Sequence, residues 1–183
     1  MGEPRFDFRP LAEADLPLLF EWLNRPHLVG WMHGPITLPE VQREYGAHIE
    51  SSSLDPYLAC VEGVPVGYIQ SYVAMEQGGG WWTDESDPGV IGTDQFLADP
   101  ERLGRGLGTA MVGQFTARLF GDPAVTRIQV DPAPDNQRAI RCYEKVGFRP
   151  AGPIETPDGP ALLMTLDRPR GGALSSLDSG SSA

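Results

Sequence analysis

The sequence predicts a single α/β domain in which strand and helix patterns alternate along the chain. Apolar residues recur at helical spacing in several segments, for example at Leu107, Met111, Phe115 and Leu119. Short apolar runs bounded by glycine or proline separate these segments and indicate strands. With 183 residues, the chain can bury one hydrophobic core of ordinary size. The predicted order of elements is β-α-α-β-β-β-α-β-α-β-β.

The N-terminal part predicts one strand and two helices. Two phenylalanines at alternate positions indicate a strand at about 4–10. Asp15 can cap a first helix, and the capping box at 37–40 starts a second helix that ends near Glu50. Between them, the histidine- and tryptophan-containing segment 27–36 predicts an irregular loop over a substrate site.

The remainder of the chain supplies six further strands, two helices and a tail. The strands are expected near 57–62, 65–75, 89–98, 125–131, 148–155 and 160–167. Pro157–Pro160 is a turn sequence between the last two strands. Residues 1–170 form the predicted domain, and the Gly-, Ser- and Ala-rich segment 171–183 is expected to be a disordered tail.

The glycine-rich stretch Leu103–Thr109 opens a predicted helix. Backbone N–H groups at such a turn bind anions, and the helix dipole favours negative charge there, so this loop predicts a phosphate site. The loop lacks the Gly-Lys-Ser/Thr of a P-loop, and Thr109 stands where a dinucleotide-binding turn needs its third glycine. A plain flexible turn is the alternative.

A second helix is expected between Asp135 or Asn136, as its N-cap, and Gly147, as its C-terminal glycine. Asn136 and Tyr143 lie seven residues apart, which places them about 10 Å apart on one helix face. A long, thin ligand on that face could contact both residues. Alternatively, Tyr143 packs into the core and Asn136 only caps the helix.

Charge is distributed unevenly along the chain, whose formal net charge is −11. Residues 44–101 contain 11 acids and neither lysine nor arginine, whereas residues 102–149 contain eight bases and four acids. The basic half suits a polyphosphate cofactor, and the acidic half suits a polycation and disfavours nucleic acid. The alternative is that the acids serve only solubility.

The glycine loop and residues 136–148 together resemble the GNAT superfamily of acetyl-coenzyme A-dependent N-acetyltransferases. That family carries Arg/Gln-x-x-Gly-x-Gly/Ala before a helix and then, after a strand, Asn-x-x-Ala-x-x-x-Tyr-x-x-x-Gly-Phe. Residues 136–148 match the second motif at every signature position. Leu103 departs from the first motif, where Arg or Gln is usual.

Further segments, spread over about 16–168, resemble the aminoglycoside 6′-N-acetyltransferases within that superfamily. They are Tyr68–Val73, Gly80–Trp82, Asp87–Val90, Gly92–Gln95, Ala139–Lys145 and Thr156–Ala161. The resemblance implies acetyl transfer from acetyl-CoA to the 6′-amine of cationic aminoglycosides of the kanamycin or tobramycin type. It also implies a mixed, mostly antiparallel twisted sheet with helices on both faces and splayed central strands.

The resemblance assigns a cofactor site. The pantetheine arm of acetyl-CoA is expected to pair with the strand backbone at Phe96, Leu97 and Ala98. The pyrophosphate would be wrapped by Arg105, Gly106, Leu107, Gly108 and Thr109, mainly through N–H groups. Asn136 would hydrogen-bond the cofactor arm.

The resemblance also assigns the chemistry. Asp94 is the expected general base, although its carboxylate could merely hold the ammonium group, and Tyr143 is the expected general acid. Expected substrate contacts are Trp82, Asp94, Asp131, Asp158, Gln70 and Tyr45. Asp131 could instead cap a turn, and Asp158 could be an ordinary turn residue. Gly79 stands where this family is expected to have an aspartate.

Several classes are disfavoured. The spacing of Cys60, Cys142 and the three histidines predicts no metal site and no disulfide. No apolar run is long enough to span a membrane, so a cytoplasmic protein without membrane or nucleic-acid partners is expected, as a monomer or weak homodimer. Acylation of another amine (a protein N-terminus or a siderophore precursor) and a non-catalytic CoA- or drug-binding module remain the alternative functions.

Overall fold

The structure, a computed structural model, describes residues 4–31 and 34–169. The strands in this part of the chain are β1 (Phe6–Pro10), β2 (Leu54–Val61), β3 (Val64–Val73), β4 (Val90–Leu97), β5 (Arg127–Val130), β6 (Arg149–Thr156) and β7 (Gly159–Asp167). The helices are α1 (Leu16–Leu23), α2 (Pro26–Val29), α3 (Leu38–Glu50), α4 (Leu107–Leu119) and α5 (Gln137–Val146). The predicted order is therefore confirmed, with α2 as an addition. The proposed tail at 171–183 lies outside the described residues.

All strands form one sheet in the order β1-β2-β3-β4-β5-β7-β6. The β4–β5 pair is parallel and the other neighbouring pairs are antiparallel. This parallel pair extends only from Val90 to Gly92 on β4, so among the described residues no strand lies beside the remainder of β4, from Thr93, on that edge. The sheet is thus mixed and mostly antiparallel, and its central strands splay as expected.

Helices cover both faces of the sheet. On one face, α1 and α3 pack on a core that includes Trp22, Val41 and Phe96. On the other face, α4 packs on a core that includes Leu97, and α4 and α5 share a further core around Ile128. Phe96 and Leu97 point to opposite faces because side chains alternate along a strand. By the same alternation, Asp94 lies on the α1/α3 face and Gln95 on the α4/α5 face.

Two N-terminal predictions need correction. The carboxylate of Asp15 forms no cap bond to α1; it accepts the Ala12 N–H (3.0 Å) and pairs with Arg9 (2.8 Å). The segment 27–36 is not irregular throughout, because Pro26 starts the single helical turn α2, whose Leu28 is buried. Met32 and His33 lie outside the described residues.

The other predicted helix ends are confirmed. Glu40 accepts the backbone N–H of Thr37 at 2.7 Å, which completes the capping box of α3. Asn136 Oδ1 accepts the Ala139 N–H at the start of α5. Gly147 ends α5 with a φ of 113°, a left-handed conformation that favours glycine. In the described part of the chain, no helix is long and apolar enough to cross a membrane.

Candidate active site

A cavity of about 390 Å³ lies along the open edge of β4. Gln95, Phe96 and Leu97 form its β4 wall, and Asn136 and Tyr143 reach it from α5. The gap exists because β4 and β5 separate after Gly92. An extended ligand can therefore enter between the two central strands.

The glycine loop closes one end of this cavity. Gly104 and Gly106 have φ values of 72° and 84°, which other residue types rarely adopt. Gly106 is the N-cap of α4 and supplies no side chain to bond the first-turn amides. These N–H groups and the helix dipole thus offer an anion site. The predicted phosphate loop has the backbone that such a site needs.

Positive charge lines the same cavity. Arg138, Arg141 and Lys145 reach it from α5, and no carboxylate is among the described residues that line it. A polyphosphate would therefore meet backbone donors at one side and three cations at another. The residues present fit the phosphates and the pantetheine arm of coenzyme A.

The expected cofactor residues divide into two groups. Phe96, Leu97, Gly106, Gly108, Thr109 and Asn136 line the cavity, whereas Ala98, Arg105 and Leu107 do not. Ala98 is buried, donating its N–H to the Val66 carbonyl and accepting from the Arg25 guanidinium. Leu107 packs against the core beneath α4. The Leu97 carbonyl lies 3.0 Å from His27 Nε2, so an imidazole shares this wall.

Tyr143 is buried between the core and the cavity. Its ring packs with Phe148, and Gln95 Nε2 donates a hydrogen bond to its hydroxyl oxygen. Burial raises the pKa of Tyr143 well above its usual value, while the Gln95 hydrogen bond lowers it. Tyr143 therefore remains protonated at neutral pH, with its O–H able to donate. Tyr143 therefore packs in the core, as the alternative interpretation predicts, and also lines the cavity, where contact with a ligand stays a prediction.

On the opposite face of β4, Asp94 is held by an oriented amide. Gln70 Nε2 donates to Asp94 Oδ2 at 2.8 Å, and the Tyr68 hydroxyl donates to Gln70 Oε1 at 2.5 Å. The Asp94 residue is exposed at the surface. Surrounding protein atoms nevertheless desolvate its carboxylate, and this desolvation raises its pKa. An accessible carboxylate with a raised pKa suits a general base.

Two further carboxylates face Asp94. Asp131 directly follows β5, and Asp158 lies in the two-residue turn between β6 and β7. The pKa of Asp131 is raised to about 7, mainly by burial and to a smaller extent by repulsion from Asp94. Asp158 raises the pKa of both Asp94 and Asp131. These three carboxylates form an acidic cluster suited to a polycation.

A loop with two tryptophans borders the acidic cluster. This tryptophan loop, residues 77–89, places Trp82 Nε1 3.4 Å from the hydroxyl of Tyr72. The Tyr72 ring covers Gly92, where an added Cβ would lie 2.2 Å from a ring carbon. Gly79, where an aspartate was expected, has a φ of 62°. That left-handed conformation favours glycine, although aspartate adopts it more readily than most other residues.

Two expected substrate contacts, Tyr45 and Gln70, are buried and make contacts within the protein. Tyr45 is a core residue of α3, packed edge-on against Tyr68. Burial is the main cause that raises the pKa of Tyr45, and the negative charges of Glu44 and Asp94 raise it further, so Tyr45 lies near the expected base. Gln70 is buried, and its amide is already committed to Tyr68 and Asp94. Gln70 thus orients Asp94. Its strand register opposite Asp94 explains this role, and sequence alone does not fix register.

Gln95 and Tyr72 were missed by sequence reasoning as site residues. Gln95 follows the expected base directly, and a period-2 reading of β4 would have placed it on the opposite face, toward α5. Tyr72 is recognisable only once its pairing with Gly92 is known.

Comparison with known proteins identifies the family. Residues 12–156 match the acetyltransferase (GNAT) domain, and the chain belongs to this family. It is 51% identical over 164 residues to aminoglycoside N(6′)-acetyltransferase type 1 of Klebsiella pneumoniae, covering 87% of this chain and 82% of that protein. It is 57% identical over 90 residues to a kanamycin resistance protein of Rhizobium radiobacter, covering 49% of this chain and 83% of that protein.

A solved structure is similarly close. The crystal structure of aminoglycoside acetyltransferase AAC(6′)-Ib in complex with coenzyme A and kanamycin has a TM-score of 0.86 and 50% sequence identity. The match covers 90% of this chain and 95% of that chain. The family and fold inferred from the two sequence motifs are confirmed.

Proposed function

We propose that this protein acetylates the 6′-amine of aminoglycoside antibiotics with acetyl-CoA, and thereby confers resistance to them. The observation that carries the proposal is that a cationic cofactor cavity and an acidic substrate cluster meet at two adjacent residues, Asp94 and Gln95. The relatives at about 50% identity support the same substrate class. The reaction needs acetyl-CoA, so we place it in the cytoplasm, with the protein acting as a monomer or weak homodimer.

Acetyl-CoA, when bound, supplies the acetyl group as a thioester. The first-turn amides of α4 and the cations of α5 would hold its phosphates, and the open edge of β4 would align its arm. Asn136 retains its Nδ2 for that arm, because only Oδ1 is used as the helix cap.

Asp94 would accept the proton that the attacking amine loses. Gln70 fixes the carboxylate from one side and leaves the solvent-facing side for the amine. The raised pKa makes Asp94 a stronger base than an ordinary carboxylate while leaving it ionised above that pKa. Asp131 and Asp158 would hold other ammonium groups of the substrate, and Trp82 would contact a sugar ring.

Tyr143 would deliver a proton to the departing sulfur from the other face of β4. Its raised pKa makes this transfer more uphill than an ordinary tyrosine would require. The Gln95 hydrogen bond to the hydroxyl oxygen works in the opposite direction, because it stabilises the phenolate. Base and acid therefore act from opposite faces of one strand.

Thiol release from acetyl-CoA tests the proposal, with kanamycin, a peptide amine and buffer as alternative acceptors. The expected result is rapid release with kanamycin and none above background with the peptide. Release with the peptide but not with kanamycin, tobramycin or gentamicin would contradict it. No release above background with any of these amines would indicate a non-catalytic binding module instead.

A further inference from the structure

The single helical turn α2 lines the cofactor cavity from the face of the sheet opposite to α5. Its residues His27 and Leu28 line the cavity, as does Trp31 just after the turn. Leu28 packs in the same core as Trp22 and Phe96, on the α1/α3 face, whereas α5 packs on the other face. The cavity therefore continues through the gap beside β4 from one face of the sheet to the other.

Only alternate residues of β4 turn their backbone groups toward this gap. The Ala98 N–H donates to a carbonyl of β3, and the Phe96 carbonyl lies beside Gly67 of the same strand. Successive residues of a strand direct their N–H and C=O groups to opposite edges, so those of Gln95 and Leu97 point to the open edge. Of the β4 residues that line the cavity, these two can therefore pair with the backbone-like amides of an extended ligand.

His27 already bonds one of the two carbonyls that face the gap. Its Nε2 lies 3.0 Å from the Leu97 oxygen. A carbonyl only accepts hydrogen bonds, so Nε2 carries the hydrogen and donates it. The other ring nitrogen, Nδ1, is buried without a hydrogen-bond partner among the described residues, so the bond from Nε2 is the one that fixes the ring. No described strand pairs with the carbonyl of Gln95, which stays available to an amide N–H in the gap.

Pairing at Gln95 suits the chemistry proposed for the site. The side chain of Gln95 donates to the Tyr143 hydroxyl, so an arm paired with the Gln95 backbone lies close to the proposed general acid. The Leu97 carbonyl would accept the same amide two residues further along the strand, a displacement of about 7 Å. His27 competes for that alternative acceptor, because its ring already donates to it.

We infer that His27 is a positioning residue for the pantetheine arm of acetyl-CoA. By holding the Leu97 carbonyl, His27 fixes the open end of β4 and directs the amides of the arm to the Gln95 backbone. The arm then meets an edge that is already in place, which lowers the cost of ordering the site on binding. This inference rests on the proposed function, which requires acetyl-CoA as the acetyl donor, and adds a residue from α2 to the cofactor site.

The test measures Kd by calorimetric titration for coenzyme A and for adenosine 3′,5′-bisphosphate, which keeps the nucleoside and two phosphates but lacks the arm. His27→Leu removes the ring donor, and His27→Gln restores an amide N–H at similar reach. Arg25→Met is the matched control. Arg25 donates to the Ala98 carbonyl at 2.8 Å, at the same end of β4, but neither residue lines the cavity.

His27→Leu is expected to weaken the binding of coenzyme A about 5- to 10-fold and to leave that of adenosine 3′,5′-bisphosphate within twofold. His27→Gln and Arg25→Met should each bind coenzyme A within twofold of the wild type. Unchanged binding in His27→Leu, equal weakening of both ligands, or the same loss in His27→Gln or Arg25→Met would overturn the positioning role. The titrations contain no aminoglycoside, so they remain decisive if kanamycin is not acetylated. A wild-type protein that does not bind coenzyme A would instead refute the proposed function.

Discussion

Gln95 Nε2 donates a hydrogen bond to the hydroxyl oxygen of Tyr143. The bond joins β4 to α5 across the cofactor cavity and leaves the tyrosine O–H free to donate. Gln95 is also the immediate neighbour of Asp94, which Gln70 holds on the other face. One strand thus positions both groups that we propose as the general base and the general acid.

Gln95→Leu should therefore lower kcat about 10-fold and leave KM for acetyl-CoA within threefold. Tyr143 loses the donor that lowers its pKa and the bond that directs its hydroxyl, so proton transfer to sulfur becomes harder. Steady-state kinetics with kanamycin as the acceptor would measure this.

A double variant separates this positioning role from general damage. Tyr143→Phe should lower kcat about 100-fold, and Gln95→Leu added to it should cause no further loss, because the two residues act as a unit. Losses that multiply would show that Gln95 acts independently of Tyr143.

Asp131 should make substrate binding depend on pH near neutrality. Its pKa of about 7 means that the free enzyme loses this negative charge as pH falls from 8 to 6. KM for kanamycin is expected to rise about 10-fold over that range. Asp131→Asn should have a high KM at pH 8 that changes less than threefold at pH 6. Initial rates at both pH values would show whether wild type and variant differ in this way.

The same carboxylate should cost stability at neutral pH. A folded-state pKa raised from 3.8 to about 7 means that the native state holds the proton more tightly than the unfolded chain. The stability that Asp131 contributes is therefore fully present below about pH 4 and is lost as pH rises through 7. The free energy of unfolding of Asp131→Asn should exceed that of the wild type by about 2 kcal/mol at pH 8. This difference should be smaller at pH 5. Urea denaturation of both proteins at the two pH values measures this difference. An equal difference at pH 8 and pH 5 would argue against the raised pKa of Asp131.

The glycine loop can be tested with a matched pair of substitutions. Gly106→Ala places a side chain at a φ of 84°, which costs about 1–2 kcal/mol and distorts the anion site. KM for acetyl-CoA should rise about 10-fold, while KM for kanamycin stays within twofold. Gly113→Ala, inside α4 with open space around the added Cβ, should leave both constants unchanged. The loop would not be the phosphate site if Gly106→Ala bound acetyl-CoA normally.

Asp94→Asn should lower kcat at least about 100-fold with both substrates still bound. The amide keeps the size of the side chain but cannot accept the proton of the amine. A loss of only a few-fold would make Asp94 a binding residue. Calorimetric titration with kanamycin, run beside the kinetics, would confirm that the variant still binds.

Local signals in the sequence were sufficient for the order of strands and helices, the glycine loop and the Asn136–Tyr143 face. Each of these predictions depends on residues that lie close together in the sequence. The contacts of Gln70 and Gln95 could not be predicted in this way. They depend on strand register and on which face a side chain meets, both of which are set by tertiary packing. Sequence also could not show that both backbone groups of Ala98 are hydrogen-bonded within the protein, because those bonds depend on the same packing.

The position of the acetyl group on kanamycin tests the central claim most directly. The wild-type protein is incubated with acetyl-CoA and kanamycin, and the purified product is assigned by nuclear magnetic resonance. The proposed function, which the 6′-N-acetylating relative supports, predicts a single acetyl group on the 6′-nitrogen. An acetyl group on a different nitrogen, or unmodified kanamycin after prolonged incubation, would contradict it.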